Sequence, residues 1–281
     1  VFGYNALSAV LRGVGDSRTP LYFLIASSLA NIVMDVVFVV CFHMGVGGVA
    51  WATFLCQGVA SVLAAWTLFR RLRGVPAPER HPLFSWRMLG RIARIAVPSI
   101  LQQSFISVGN LFIQSLVNSF GSAVVAGYSA AVKLNTFALT GFTTLGNGLS
   151  SFTAQNIGAG RPERVKQGFR AGAGMTLCVA VPFIAAFVFA GPQMVRLFLS
   201  APSADALAQG TLFLNIVAPF YVLISLKLAA DGVLRGAGCM GQFMTATFTD
   251  LILRVILAFL LAPRFGAAGI WMAWPLGWAV A

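Results

Sequence analysis

A chain of 281 residues that is 58% hydrophobic and 9% charged, with a mean hydropathy of +0.86, has too little polar surface to cover a water-soluble globule, which excludes a soluble enzyme. Cys41, Cys56, Cys178 and Cys239 lack C-x-x-C spacing and His43 and His81 are the only histidines, so neither a disulfide framework nor a Cys/His metal site is expected. The net charge of +12 would suit a nucleic-acid binder, but its distribution along the chain follows membrane topology instead.

Val1–Leu11 reads as the end of a helix. Seven long apolar stretches follow, each of which must satisfy its own backbone and is therefore expected to span a bilayer as a helix: Leu21–Met44, Val49–Phe69, Ile95–Phe120, Ala123–Ile157, Ala171–Leu199, Leu207–Leu234 and Phe243–Leu261. Gly269–Ala281 reads as the first half of another. The chain opens on Val1 without a signal-peptide pattern and stops inside an apolar run, so a fragment is expected. If residues 70–94 are cytoplasmic, alternation of the spans puts 14 of the 19 basic residues on that side, the positive-inside bias of a multi-pass plasma-membrane protein.

Between the second and third spans, Pro76, Pro78 and Pro82 are followed by Leu83, Phe84, Trp86, Leu89 and Ile92 interleaved with Arg87, Arg91 and Arg94. Residues 70–94 are expected to form a cytoplasmic linker ending in an interfacial amphipathic helix, with a solvated tether as the alternative.

An internal repeat organises the rest. Val10-Leu11-Arg12-Gly13-Val14-Gly15 recurs as Val233-Leu234-Arg235-Gly236-Ala237-Gly238 at an offset of 223, and Gly45–Ala52 recurs as Gly266–Ala273 at 221. Six spans separate the copies, so both point the same way through the bilayer, as in two-lobed secondary transporters. The expected fold is an all-α integral membrane protein of two six-helix lobes related by a parallel repeat. The first lobe is incomplete here (1–69), the second runs over 95–281, and the missing start is about 130 residues.

Three stretches carry a family resemblance. They are Leu11-Arg12-Gly13 with Gly15-Asp16, Asn31–Asp35 and Gly45–Ala52; then Phe152–Gly160 with its Gln155-Asn156-Ile157-Gly158-Ala159-Gly160 run and Arg164; then Asp231–Gly236. The chain resembles the multidrug and toxic compound extrusion transporters over its whole length. The resemblance implies a twelve-helix, alternating-access exporter in which proton or sodium entry drives organic cations or metabolites outward. A monomer in the lipid bilayer is expected, with no cofactor beyond the coupling ion. The spans carry no G-x-S-x-G, no H-E-x-x-H and no Asp-rich metal box, so neither enzymatic activity nor a metal is expected, and the charge distribution argues against a nucleic acid partner.

The intramembrane charges can be read on their own. An Asp near a span centre costs about 2.5 to 3.5 kcal/mol on insertion scales, so it persists only with a partner, a cavity or a task. Asp35 is the only charge between Leu21 and Met44, and Asn31 lies one turn away on the same face. A carboxyl in hydrocarbon resists ionisation and a positive guest favours it, so one site can trade a proton for a cation. Thr53 could add a hydroxyl, although the turn count puts it about one helical turn shallower. The alternative is that Asp35 is a protonated packing residue. The resemblance implies that Asn31, Asp35 and Thr53 line a cation or proton site, beside an acidic residue on a first helix that this sequence lacks. At the repeat offsets Asp35 falls on Ile256 to Ala258 and Thr53 on Trp274 to Leu276, so the lobes are expected to be chemically unequal.

The second lobe carries Lys133, Lys227, Asp231, Asp250 and Arg254 within spans. Lys227 with Asp231 and Asp250 with Arg254 stand at i,i+4, leaving Lys133 either to pair across helices with Asp231 or Asp250 or to titrate. The resemblance leads one to expect a glutamate in the seventh helix and an aspartate midway along the tenth. Gln102 or Gln103 and an apolar stretch near Ile224 stand there, which favours proton coupling through the first lobe. Gln102, Gln103, Asn110, Asn135 and Tyr221 are candidates for a substrate cleft, with interhelical hydrogen bonding as the alternative. Pro98, Pro182 and Pro219 could kink their helices, whereas Val36 stands where the family often has proline after the aspartate. A lipid-linked oligosaccharide flippase is the alternative function, and it requires Lys133, Lys227 and Arg254 to face one cavity.

Overall fold

The computed structural model describes residues 2–74, 84–199 and 203–281, and the chain divides into two compact units, Val1–Phe84 and Ser85–Ala281. The first unit holds α1 (Phe2–Gly13), α2 (Arg18–Val36) continued by a π-helical turn (Val37–Cys41), and α3 (Gly45–Arg73). The second holds α4 (Trp86–Asn118), α5 (Ser122–Gly158), α6 (Pro162–Leu197), α7 (Ala204–Val217), a 3₁₀ turn (Ala218–Phe220), α8 (Tyr221–Gly236), α9 (Met240–Phe265) and α10 (Ala267–Val280). Six segments among the described residues are long and apolar enough to cross a membrane: 18–41, α3, α4, α6, 204–236 and α9. Of the seven expected spans, α5 alone is not among them. Its 37 residues suffice in length, but its serines, threonines and asparagines dilute the apolar content.

The repeat is written in backbone hydrogen bonds. At the end of α1 the Gly15 N–H donates to Arg12 O and the Asp16 N–H to Leu11 O; at the end of α8 Gly238 donates to Arg235 and Cys239 to Leu234. This is a Schellman stop, and the residue in the left-handed region is Gly15 (φ 90°) in one copy and Gly238 (φ 75°) in the other. Gly45 and Gly266, which open the turns 221 residues apart, also match at φ 55° and 60°. The same stop ends α5, where Gly160 donates to Ile157 and Arg161 to Asn156. The Gln155–Gly160 run is therefore a helix terminator. Between the paired glycines the first copy is two residues longer, and it is there that α2 passes into the π turn, whereas α9 runs as an uninterrupted α-helix.

Two expectations change. Residues 75–83, with Pro76, Pro78 and Pro82, lie outside the described residues. From Trp86 the chain is helical without a break through Ile95, so Trp86–Arg94 forms the first turns of α4 rather than a separate interfacial helix. Ser85 starts that helix, its Oγ accepting the Met88 N–H at 3.5 Å. Pro219 lies in a 3₁₀ turn that interrupts its span, whereas α4 and α6 stay helical through Pro98 and Pro182.

In the second unit α5 packs against α6, α7 and α8, and α9 against α10. The core is aromatic: Phe142, Phe187, Phe213, Tyr221 and Trp271 are fully buried, with Tyr128 stacked on Trp271 at 4.8 Å. Glycines set the closest approach of α5 to α8, since a Cβ on Gly232 would collide with the carbonyl of Gly146 and one on Gly236 with that of Ser150. In the first unit Tyr4, Leu11, Ala60, Ala64 and Leu68 form a smaller core between α1 and α3. There the Tyr4 hydroxyl donates to Pro20 O at 2.6 Å and Ser27 Oγ to Cys56 O at 3.2 Å, tying α1 to the start of α2 and α2 to α3.

Candidate functional site

α2 and α3 form a hairpin with few polar side chains, and the turn at Gly45 sets their register. That register brings Asn31, Asp35 and Thr53 together. Asn31 Nδ2 donates to Asp35 Oδ1 at 3.5 Å and to Thr53 Oγ1 at 3.4 Å. Thr53 is therefore not a turn nearer Gly45 than Asp35, as counting along the helices predicts, because it bonds Asn31, which lies one turn farther from Gly45 than Asp35 does. Both bonds are at the long end of the hydrogen-bond range and all three side chains are half-buried, so the cluster is loosely held. A carboxylate, an amide and a hydroxyl together accept from or donate to either protonation state, and all three carry oxygens able to ligate a hard cation.

The second unit resolves its charges differently. Lys227 Nζ lies 3.1 Å from Asp231 Oδ2 along α8, and the Arg254 Nη2 group reaches both Asp250 oxygens at 2.8 and 2.7 Å along α9. These are the i,i+4 pairs expected from spacing, and all four residues are largely buried. Arg254 also sits 4.7 Å from the centre of the Trp274 ring. Lys133 is on an exposed face of α5 and makes no ion pair among the described residues, so the cross-helix pairing with Asp231 or Asp250 is replaced by pairing within each helix.

The cleft candidates separate. Asn135 and Tyr221 are 1% and 0% exposed, and the tyrosine hydroxyl donates to Asn135 Oδ1 at 2.8 Å. They hold α5 to α8 inside the core and present no surface to a ligand, because a buried phenol needs a partner. Gln102 on α4 donates to Thr247 on α9 at 3.2 Å and is half-buried, while Gln103 and Asn110 are exposed.

Two polar contacts have no counterpart in the sequence reading. Arg235 donates to Asn147 Oδ1 at 2.9 Å, joining α8 to α5 near the glycine stop. Asp16, in the turn before α2, accepts the Thr19 N–H at 3.1 Å and pairs with Arg71 at the end of α3 at 2.9 Å. Hydrogen bonding by the Thr19 side chain, then by its backbone N–H, and the Arg71 charge hold the Asp16 carboxyl below the usual carboxylate range. The Asp at the first position after the glycine stop was the available signal for this contact.

An all-helical chain with membrane-length apolar segments, an internal parallel repeat and an acid–amide–hydroxyl cluster between two apolar helices defines a polytopic membrane protein. The chain belongs to the MatE family, whose model matches residues 98–260. It is 33% identical over 271 residues to the probable multidrug resistance protein YpnP of Bacillus subtilis, covering 96% of this chain and 60% of that protein. It is 27% identical to the probable multidrug resistance protein YoeA of the same organism, covering 100% and 62%. A solved outward-facing multidrug resistance MATE family transporter of the MOP superfamily shares the fold, with TM-score 0.89, 24% identity, and coverage of 99% of this chain and 62% of that one. The chain thus spans about three-fifths of the length of these relatives.

Proposed function

We propose that the protein is a secondary active exporter of small organic cations or metabolites, working by alternating access in a bacterial plasma membrane and coupled to cation entry at Asp35. The observation that carries this reading is the Asn31 bridge between Asp35 and Thr53, an acid–amide–hydroxyl cluster between two largely apolar helices. A proton fits this cluster as the coupling ion: the carboxyl can be discharged on one side of the membrane and reloaded on the other, while the amide reorients to serve either state. The names of the relatives, multidrug resistance proteins, agree with an efflux role. Against the flippase alternative, Lys227 and Arg254 are matched by Asp231 and Asp250, which leaves Lys133 as the unpaired cation of the three that pyrophosphate would need.

The test is pH-gradient-driven efflux of a fluorescent organic cation from proteoliposomes. Asp35→Asn should abolish gradient-dependent efflux while the melting profile in detergent is retained. Undiminished pumping by that variant would remove Asp35 from the mechanism. Efflux driven equally by a sodium gradient at constant pH would replace the proton as coupling ion.

A further inference from the structure

The flank of the second unit between α5 and α6 carries a groove of about 470 Å³ that transport through Asp35 does not use. Its walls are apolar: Leu149 and Phe152 come from α5, Ala171 and Met175 from α6. Glycines open it. Nothing lies within 4 Å of where a Cβ on Gly148 would stand, and the Phe152 ring occupies the place of a Cβ at Gly168. At one end, in the first turns of α6, Arg164 and Gln167 line the mouth. Arg164 is exposed and has no ion pair among the described residues, and no carboxylate lines the groove, so the site does not suit an organic cation.

The dimensions narrow the occupant. From Arg164 to Met175 the groove follows α6 for eleven residues, about 16 Å at 1.5 Å per residue. Half of a hydrocarbon core of roughly 30 Å is about 15 Å, the depth of one leaflet. A cation at the headgroup level, an amide donor one turn on, and an apolar trough one leaflet deep together match a glycerophospholipid, with its phosphate at the mouth and an acyl chain in the trough.

We propose that this groove binds an anionic phospholipid, its phosphate on Arg164 and Gln167 and one acyl chain laid past Gly148 to Met175. The site stands on its own geometry and does not depend on the transport reading. Gly148→Leu tests the trough, because a Cβ there meets nothing within 4 Å and leucine favours helix, and an unchanged melting profile of the variant checks that the fold is kept. Arg164→Gln tests the headgroup contact, and Lys166→Gln, a neighbouring cation that does not line the groove, is the control.

The experiment is native mass spectrometry of the purified protein titrated with phosphatidylglycerol or phosphatidylcholine, with glycerol phosphate as a chain-free probe. The wild type should retain phosphatidylglycerol over phosphatidylcholine. Arg164→Gln should lower that retention about fivefold and remove the preference. Gly148→Leu should lower retention of both lipids, Lys166→Gln should change neither, and glycerol phosphate should not compete. Equal retention of the two lipids by the wild type, an equal loss in Lys166→Gln, or unchanged binding in Gly148→Leu would each overturn the assignment, the second by showing diffuse surface attraction.

Discussion

Tyr221 and Asn135 show how a single polar side chain in a spanning helix can be placed only by its neighbours. Their hydrogen bond of 2.8 Å is sealed among Phe142, Phe187 and Trp278. Tyr221→Phe removes the donor and leaves a buried amide oxygen unsatisfied, which costs roughly 1 to 3 kcal/mol. We expect a lower unfolding midpoint in detergent and, under the proposed efflux role, an unchanged set of exported compounds; a changed set would return Tyr221 to the cleft. Asp16 makes a second test at this scale. Its carboxyl ionises more readily in the folded chain than in the unfolded one, so its contribution is fully present above the unfolded value near pH 4 and is lost as pH falls through the folded value. Asp16→Asn should therefore lower thermal stability at neutral pH, and the difference from wild type should vanish in acid. The residue pattern made Asp35 stand out because it is the one charge in its span and Asn31 falls on its face. It could not show that α5 buries a wide face holding Asn135, since amides in spans line cavities and seal cores alike.

At the scale of elements, the glycine pattern was the legible signal and its meaning was incomplete. The recurrence of Gly13-Val14-Gly15 as Gly236-Ala237-Gly238 revealed the repeat, and the hydrogen bonds show why it recurs: each run stops a helix through a left-handed glycine. The change of offset from 223 to 221 was also visible in the sequence. That the longer copy carries a π turn directly after Asp35 was not, because no residue type compels such a turn. The start of α4 is ambiguous in the sequence for a related reason, since arginines interleaved with apolar residues fit both an interfacial helix and the first turns of a longer one. Helix packing yields a sharp contrast between two glycines. Gly232→Ala should prevent α8 from docking on α5, because its Cβ would collide with backbone that cannot move independently, and the protein should fail to accumulate in the membrane. Gly141→Ala meets only Val179 at 3.8 Å, and should raise the unfolding midpoint through helix propensity worth about 1 kcal/mol. Equal accumulation of the two variants would contradict the close approach.

Across the whole molecule, each unit handles its membrane-embedded charge in a different way. Among the described residues Asp35 has no cationic partner and is held by an amide and through it a hydroxyl, while the second unit closes Lys227 on Asp231 and Arg254 on Asp250. A buried pair whose charges cancel serves packing, and replacing both members with apolar residues of similar volume is often neutral or stabilising, whereas removing one strands the other at a cost of roughly 3 to 5 kcal/mol. Arg254 adds the Trp274 face to its contacts, so its side chain is fixed by packing as well as by charge. Asp250→Asn should therefore lower the unfolding midpoint sharply, and Asp250→Leu combined with Arg254→Met should restore it. The decisive measurement is then the coupling stoichiometry of the double variant. If charge exchange belongs to the first unit, protons moved per exported cation should match wild type, although both members of the α9 ion pair have been removed. A changed ratio in a well-folded double variant would place part of the exchange in the second unit and make the asymmetry between the units one of structure alone.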